Sequence, residues 1–510
     1  MKISTRYAKH GLATLLVITM LLVSSSFALA DGSIPKYLFL FIGDGMSFPQ
    51  VSSTEMYLGN QASQTEIATK RLNFSDFPVT GVAQTFDASS FVPDSASTAT
   101  SVASGIKTLS GVINMDVTKT TTVSPFTEEL KQRGYRVGII SSVPVNHATP
   151  AAFYAKVPHR GQYYEIGTQF IQSGFDFLGG GGFLHQKGST GEQEDLFDVA
   201  RAHGYTVANT DNEILALNSR SGKVIAINPI LEPNGAALNY EIDRGTNELA
   251  LADFVRKGID VLDNPQGYVL IVEAGKIDWA GHANDAAASI HDTIAFAAAI
   301  EEAIKVYNAH PDDTLILVTG DHECGGMTIG FAGTGYKTFF QVMERVSGSN
   351  KAFNVFFNEY KSNSAAVNAQ LEHLLPQIRT QYGLVVSDDP SAAMYPEGVL
   401  TASEWSRLEA AFAQSMTLRN ERNYTDHEKI IYGGYEPLTI ALTHIVNNKA
   451  GLHYTSFSHT GLPVPVYAKG NGSELFTGFY DNTDIYRKVG KIMRLTNPNV
   501  PLMSVQTASN

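Results

Sequence analysis

Residues 36–45 of the chain read "KYLFLFIGDG", a short apolar run that ends abruptly in a glycine, an acidic residue and a second glycine. The run has the length of a strand and shows no alternation of polar and apolar side chains. It therefore predicts a β-strand that is buried on both faces, as the strands of parallel sheets are. Asp44 follows the strand end, where open α/β sheets bind their ligands, and is a candidate functional residue.

Three further segments have the same form. They are "YRVGIISSVPVNHAT" (135–149), "GYVLIVEAG" (267–275) and "DTLILVTGDHE" (313–323). A long segment between the last two carries apolar side chains at helical spacing from Ile290 to Tyr307. Strands that alternate with helices predict an α/β sandwich.

Polar side chains follow all four predicted strands. They are Asp44, His147, Thr149, Glu273, Asp321 and His322. Any one of them alone is more often a helix cap or a turn residue, except that a buried Glu273 needs a partner. Because four strands end in carboxylate, imidazole or hydroxyl groups on one edge of the sheet, the set predicts a shared metal site.

The segment "VEAGKIDWAGHAND" (272–285) adds two candidate ligands. Asp278 and His282 share one face if the chain is helical there, and both residue types suit zinc. Glu273 precedes them at the strand end and is placed to face a different ion. His459, in "SHTG", comes just before an alternating run typical of a strand. Each observation alone is weak, since such a pair is usually a surface hydrogen bond and such a histidine an ordinary loop residue.

Two segments have features that suit phosphate binding. Arg160, in "KVPHRGQYY", carries a planar guanidinium that suits two phosphate oxygens, although an exposed structural arginine explains it as well. The run "LGGGG" (178–182) lacks the Lys-Ser/Thr ending of a phosphate-binding P-loop. We interpret it as a tight structural turn.

The hydroxyl-rich stretch "FVPDSASTATSVASGIKT" (91–108) resembles a linker by composition. The pattern predicts instead a helix that begins at Asp94-Ser95 and continues to Ile106. Ser95 would then lie where backbone N–H groups and the helix dipole favour negative charge. No G-x-S-x-G elbow surrounds it, so a bound metal is the expected means of activating its hydroxyl.

Six elements together resemble the alkaline phosphatase family, in the family's order and over nearly the whole chain. They are "GDG", "PDSASTAT", "HATPAAFYA", "VEAGKID…H", "TGDHECGG" and "SHTG". The resemblance implies hydrolysis of many phosphate monoesters through a phosphoserine on Ser95, with Arg160 binding the phosphate oxygens. It also implies a large, mostly parallel central sheet flanked by helices in three layers, and a homodimer.

The resemblance further implies two zinc ions and one magnesium ion per subunit. One zinc would be held by Asp278, His282 and His459. The other would be held by Asp44, Asp321 and His322 beside Ser95. The magnesium would share Asp44 and be served by Thr149 and Glu273.

Two positions vary within the family and bear on this site. His147 replaces an aspartate of some members, and because imidazole is a softer ligand than carboxylate, it favours admission of zinc at the third site. Trp279 replaces a lysine or histidine near the phosphate. The missing positive charge predicts weaker phosphate binding and faster product release where release limits turnover.

The chain is expected to be exported to the periplasm or the medium. Residues 1–30 combine three cationic residues, an apolar run too short for a stable membrane helix and small residues at Ala28 and Ala30, which predicts a signal peptide. A membrane anchor is the less favoured alternative. The single cysteine, Cys324, excludes an intramolecular disulfide, and the net charge of −13 with no basic tract disfavours nucleic acid as a partner.

The mature chain is interpreted as one catalytic domain, residues 31–510. Residues 331–432 contain helical patterns but no further ligand cluster, and we interpret them as an inserted crown or lid. Two rival functions fit the sequence less well. A sulfatase, phosphodiesterase or phosphomutase of the same superfamily is disfavoured. "DSASTAT" has no proline or arginine of the C/S-x-P-x-R context that sulfatases need, and diesterases usually use a threonine nucleophile and lack this third-ion set. A non-catalytic metal- or phosphate-binding protein is disfavoured because every expected ligand is present.

Overall fold

The strand predicted from residues 36–45 is present as Tyr37–Gly43, in the interior of a large sheet. The computed structural model describes residues 33–63, 67–233, 236–363 and 369–496. The predicted signal peptide, residues 1–30, lies outside this part of the chain. Within it, no helix is both long enough and apolar enough to cross a membrane.

The strands, in chain order, are β1 Tyr37–Gly43, β2 Val79–Gln84, β3 Arg136–Ser141, β4 Phe177–Gly180, β5 Tyr205–Ala208, β6 Lys223–Ile227, β7 Tyr268–Ala274, β8 Thr314–Gly320, β9 Glu323–Cys324, β10 Thr328–Ile329, β11 Leu452–His453, β12 His459–Thr460, β13 Val464–Gly470 and β14 Gly478–Asp481. The helices are α1 Phe48–Ala62, α2 Ser95–Ser104, α3 Phe126–Gln132, α4 Ala148–Ala151, α5 Tyr163–Ser173, α6 Leu196–Ala202, α7 Asp211–Leu215, α8 Leu251–Leu262, α9 Lys276–His282, α10 Ala286–Ala309, α11 Asn350–Asn363, α12 Leu375–Tyr382, α13 Ala402–Met416, α14 Asp426–Tyr432, α15 Pro437–Ala450 and α16 Thr483–Ile492.

Ten of these strands form one sheet in the order β14, β2, β13, β8, β1, β7, β3, β4, β6 and β5. Neighbouring strands are parallel, except that β13 runs antiparallel to both β2 and β8. The predicted α/β fold with a large, mostly parallel sheet is therefore confirmed.

Side chains of β1 explain why its sequence does not alternate. Leu38, Leu40 and Ile42 enter a core cluster with α2 and α5 on one face of the sheet. Phe39 and Phe41 enter a second cluster with α8 and α10 on the other face. Because helices cover both faces, every position of the strand is apolar, and each such side chain contributes about 1.5–3 kcal/mol when fully buried.

The interpretation of "LGGGG" as a tight turn is wrong. Leu178, Gly179 and Gly180 belong to β4, which pairs with β3 and β6. A Cβ on Gly180 would lie 2.0 Å from the Ser141 carbonyl oxygen, and one on Gly181 would lie 2.3 Å from that of Val143. The glycines therefore allow two backbones to approach closely at the end of the strand.

The helix predicted from Asp94-Ser95 is α2, which is shorter than expected. It ends at Ser104, because Gly105 takes a left-handed conformation with φ of 74° and caps it. Ile106 therefore lies beyond the helix. All ten residues of α2 are buried, and their small side chains let it pack closely against the sheet.

Helices α11 to α14 lie within residues 331–432. Their apolar side chains pack in one core cluster with those of α15 and with residues of α1 and α10, among them Tyr57 and Ile290. That residues 331–432 form an insertion stays a prediction.

Candidate active site at the carboxyl edge of the sheet

The register of the sheet brings the predicted strand-end residues together. Gly43 of β1 pairs with Ala274 of β7 and with Gly320 of β8. Because parallel strands in register end at the same level, Asp44 and Asp321 leave one edge of the sheet beside Glu273. His459 reaches the same edge from the opposite direction, since it precedes the antiparallel strand β13.

A glycine permits the sharp turn after Asp44. Gly45 has a φ of +72°, and a Cβ at this position would lie 2.7 Å from the Asp278 Cα. Its backbone N–H donates to Asp321 Oδ1 at 3.2 Å. The turn thus links the end of β1 to the neighbouring carboxylates, and only glycine fits the space and the dihedral angle.

Ser95 is the first residue of α2, and it is buried at the site. Asp94 caps the helix by accepting a hydrogen bond from the Ser97 backbone N–H at 3.0 Å. The Ser95 Oγ lies 3.2 Å from His322 Nε2. A hydroxyl at a helix N-terminus lies where backbone N–H groups stabilise negative charge.

The His322 ring does not form a serine–histidine–aspartate relay. Its Nε2 lies 3.3 Å from both Asp44 Oδ1 and Asp321 Oδ2, on the side of Ser95. Its Nδ1, where a relay needs an orienting carboxylate, has no hydrogen-bond partner among the described residues. Two carboxylates and an imidazole that converge on one point could hold a metal ion instead.

A second ligand group contains Asp278, His282 and His459, with Cys324 as a fourth member. The Nδ1 atoms of His282 and His459 each lie 2.7 Å from a backbone carbonyl oxygen, of Phe457 and Pro93 respectively. Both Nδ1 atoms must therefore donate, since a carbonyl only accepts.

The tautomers of these two rings follow from those hydrogen bonds. In the neutral rings, both Nε2 atoms carry lone pairs, and they face each other at 3.1 Å. Two lone pairs at this distance repel unless a proton or a metal ion lies between them. Asp278 completes the set at 3.4 Å from each Nε2. The arrangement fits a zinc ion, whose histidine ligands usually donate their other N–H in this way.

The third group contains Asp44, His147 and Glu273. The Thr149 Oγ1 lies 3.4 Å from Asp44 Oδ2. Glu273 accepts a short hydrogen bond from the Ser141 hydroxyl of the neighbouring strand. Asp44 belongs to two of the three groups, so the groups adjoin, as they must if two ions share that carboxylate.

Buried negative charge distinguishes this edge of the sheet. Burial, together with neighbouring carboxylates, raises the pKa of Asp44 well above its ordinary value, that of Glu273 to about 7 and that of Asp321 to about 6. Carboxylates that repel one another in a buried site gain stability from a bound cation.

The imidazoles respond differently to the same surroundings. Burial lowers the pKa of His147 to about 3 and that of His322 well below its ordinary value. Burial also acts to lower the pKa of His459, but the Asp278 carboxylate outweighs it and raises that pKa to about 9. The neutral rings of His147 and His322 are in the state that binds metal.

Arg160 and Trp279 lie beside these groups. Arg160 Nη1 lies 2.9 Å from Asp94 Oδ2, and its Nη2 lies 3.3 Å from His147 Nε2. The His147 and Trp279 rings meet edge to face, with centroids 6.3 Å apart. Every site residue expected from the sequence is therefore found in one region of the molecule.

Three residues of the site were missed by the sequence analysis. Cys324 pairs through its backbone with His459, and its buried thiol lies against Asp278. Burial and then Asp278 raise the pKa of this thiol well above its ordinary value. Thr98 Oγ1 lies 3.3 Å from Asp321 Oδ2, and Ser141 binds Glu273. The position of Cys324 directly after "GDHE" was the available signal.

A mostly parallel sheet with a buried serine and three adjoining ligand groups at its carboxyl edge is typical of a metal-dependent hydrolase. A family model described as alkaline phosphatase matches residues 35–495. The chain therefore belongs to the alkaline phosphatase family, whose enzymes hydrolyse phosphate monoesters with the aid of metal ions.

Individual relatives agree with this assignment. Alkaline phosphatase 4 of Bacillus subtilis is 26% identical over 478 residues, 90% of this chain and 89% of that protein. Alkaline phosphatase 4 of Drosophila melanogaster is 32% identical over 336 residues, a match that spans only 56% of each chain. The crystal structure of a cold-active alkaline phosphatase from a psychrophilic Shewanella species superposes with a TM-score of 0.72 at 28% identity, covering 90% of this chain and 99% of that one.

Proposed function

We propose that this protein hydrolyses phosphate monoesters through a phosphoserine on Ser95, in a centre that holds two zinc ions and one magnesium ion. The observation that carries the proposal is the position of the Ser95 Oγ, 3.2 Å from His322 Nε2 in the first ligand group. Recognition that is limited to the phosphate would leave the leaving group in solvent and accept many small-molecule esters.

In the first step, the Ser95 Oγ loses its proton and bonds to phosphorus while the bond to the ester oxygen breaks, and the alcohol leaves with a proton. In the second step, water attacks phosphorus, the Oγ–phosphorus bond breaks, and inorganic phosphate and the Ser95 hydroxyl are released. Zinc supplies a positive charge that activates a hydroxyl or water and balances charge on the phosphoryl group.

Arg160 is proposed to bind the non-bridging phosphate oxygens. Asp94 supports this role in two ways, since it caps α2 and pairs with the guanidinium at 2.9 Å. Burial opposes the charge on Arg160, but Asp94 outweighs it and raises the arginine pKa. The pair therefore fixes the guanidinium beside Ser95 while it remains charged.

The metal assignment follows the three ligand groups. Asp278, His282 and His459 would hold one zinc, and Asp44, Asp321 and His322 the other. Asp44, Thr149 and Glu273 would hold magnesium, with His147 as the ligand that admits zinc. A variant of the Antarctic bacterium TAB5 enzyme, in which a histidine is replaced by glutamate, has magnesium bound in a site called M3.

We further propose that the protein is exported after removal of residues 1–30, to the periplasm or the medium, and that it acts as a homodimer. Residues 331–432 are proposed to be a crown or lid inserted in the single catalytic domain. These assignments rest on the leader-like sequence and on the family.

The direct test is turnover of a chromogenic phosphate monoester, compared with a phosphate diester and a sulfate ester. Acid quenching during turnover should trap one phosphoryl group, and peptide mass spectrometry should locate it on Ser95. Hydrolysis of the diester or the sulfate ester in preference to the monoester would contradict the proposal, and so would a phosphoryl group on another residue.

The affinity of the site for its metal ions is expected to rise with pH between about 6 and 9. In the metal-free protein, the pKa values of Asp321, Glu273 and His459 are about 6, 7 and 9. Each group binds its proton below that pH and must release it to bind metal, so the affinity should increase by up to about tenfold per pH unit for each proton displaced. Calorimetry in buffers of different ionisation enthalpy would count the protons. An affinity that does not change with pH would contradict these assignments.

Trp279→Lys is expected to lower the inhibition constant of inorganic phosphate by about three- to tenfold. The new ammonium would attract the bound phosphate dianion. Lys276, whose Nζ lies 4.8 Å from the centre of the Trp279 ring, would repel the new ammonium toward the pocket. Steady-state product inhibition measures the effect. Trp405→Lys, at the other tryptophan, is the matched control. If both variants have the same inhibition constant for phosphate as the parent, Trp279 does not face the phosphate.

A further inference from the structure

A buried lysine lies next to the candidate active site and has no part in the proposed steps. The Lys276 side chain is 1% exposed, and its Nζ donates to Glu232 Oε2 at 2.7 Å. The same Nζ lies 3.7 Å from the centre of the Tyr240 ring and 4.8 Å from that of Trp279. A buried ammonium is unfavourable unless it is paired, and here one carboxylate and two aromatic faces surround it.

A second lysine reaches the same carboxylate from residues 331–432. Lys351, near the start of α11, has its Nζ 3.5 Å from Glu232 Oε1. It lies 5.9 Å from the centre of the Trp279 ring. Its side chain is 50% exposed, in contrast to that of Lys276. Glu232 thus lies between two ammonium groups that both face Trp279.

Trp279 lies between these charged side chains and the pocket around Ser95 and Arg160 that is proposed to bind phosphate. Its side chain packs against a cluster of Tyr240, Ala280 and Ala288. Its indole ring also meets the His147 ring edge to face, at an interplanar angle of 79°. His147 in turn contacts Arg160. A displacement of the indole would therefore change the surroundings of the arginine proposed to bind phosphate.

We propose that Glu232, Lys276 and Lys351 form a positioning cluster that holds Trp279 against His147 and sets the affinity of the pocket for phosphate. The carboxylates of Asp243 and Asp292 also interact with Lys276. Lys351 contributes the half-exposed positive charge of the cluster, and this charge lies near the indole. The inference rests on the proposed function only in that the pocket binds phosphate.

Lys351 is the residue to test, because it is half exposed and its replacement should not prevent folding. The experiment uses the full-length protein with the Trp405→Phe change. The chain has two tryptophans, so this change leaves Trp279 as the single source of tryptophan emission. Lys351→Gln is compared with Lys351→Arg and with Lys361→Gln. Lys361 is the matched control, since it lies on the same helix but contacts Glu436 and Phe357.

Lys351→Gln should raise the inhibition constant of inorganic phosphate by about three- to tenfold, with a smaller effect at high salt. It should also change the Trp279 emission maximum, and Lys351→Arg should restore both values. Lys361→Gln should change neither. A purely structural role would lower thermal stability without a salt-dependent change in phosphate inhibition.

The two possible failures are distinguishable. Emission of Trp279, with and without inorganic phosphate, is measured without turnover. If Lys351→Gln leaves emission and phosphate affinity unchanged, the positioning cluster is wrong even when the parent hydrolyses monoesters. If the parent does not hydrolyse monoesters but its emission responds to phosphate and to Lys351→Gln, the proposed function is wrong and the cluster stands.

Discussion

Ser95→Ala is expected to lower kcat/KM for a chromogenic phosphate monoester by about 10⁴- to 10⁶-fold, the range seen when a hydrolase loses its nucleophile. The reason is that the Ser95 Oγ would be the only atom to bond to phosphorus in the first step. Without it, the ligand groups and Arg160 retain binding and charge stabilisation, which supports a small residual rate. Initial rates at low substrate concentration measure the loss.

Ser101→Ala is the matched control for this change. Ser101 is buried in the same helix, but its hydroxyl donates to the Ser97 and Ile106 carbonyl oxygens. This variant should therefore remain within about twofold of the parent in activity, since it removes a hydroxyl that bonds to backbone carbonyl oxygens and changes no group of the site. Metal content should be the same in both variants. If Ser95→Ala keeps more than a tenth of the parent activity, the phosphoserine mechanism is wrong.

Removal of metal by a chelator is expected to lower activity by at least about 10³-fold. Zinc together with magnesium should restore the activity, because activity is expected to require an ion in each of the three ligand groups. The melting temperature should also fall, since an ion at 1,000 times its dissociation constant stabilises the native state by about 4 kcal/mol. Activity and scanning calorimetry on the same samples measure both effects.

His459→Ala tests whether the predicted ligands account for this loss. It should lower zinc content by about one ion per subunit, because Asp278 and His282 alone make a poor site. His203→Ala is the control, since His203 is exposed beyond α6 and contacts the Val199 carbonyl oxygen. Full activity after chelation, or normal zinc content in His459→Ala, would contradict the metal assignment.

Much of the fold was predictable because its strands are buried on both faces. The segments containing β1, β3, β7 and β8 are continuous apolar runs, and this pattern follows directly from helices on both sides of a parallel sheet. The glycines of β4 carry no such signal. Their assignment failed because a strand that approaches its neighbours closely has no side chains to indicate burial.

The candidate ligands were predictable for a related reason. Strand ends in a parallel sheet lie at one edge, so Asp44, Glu273 and Asp321 were expected to meet before their distances were known. That His459 reaches the same edge of the sheet was harder to predict, since its position depends on the antiparallel direction of β13. That direction is decided by the pairing of β13 with β2 and β8.

The sequence by itself determined the α/β class, the candidate ligands at the strand ends, the serine at the start of α2 and the family. All of these depend on local periodicity or on residue types at short spacing. Only the tertiary structure decided that Cys324 joins the second ligand group, and that Glu232 lies between Lys276 and Lys351 beside Trp279. Such contacts join residues far apart in the chain, and they depend on how the helices pack rather than on any pattern within a segment.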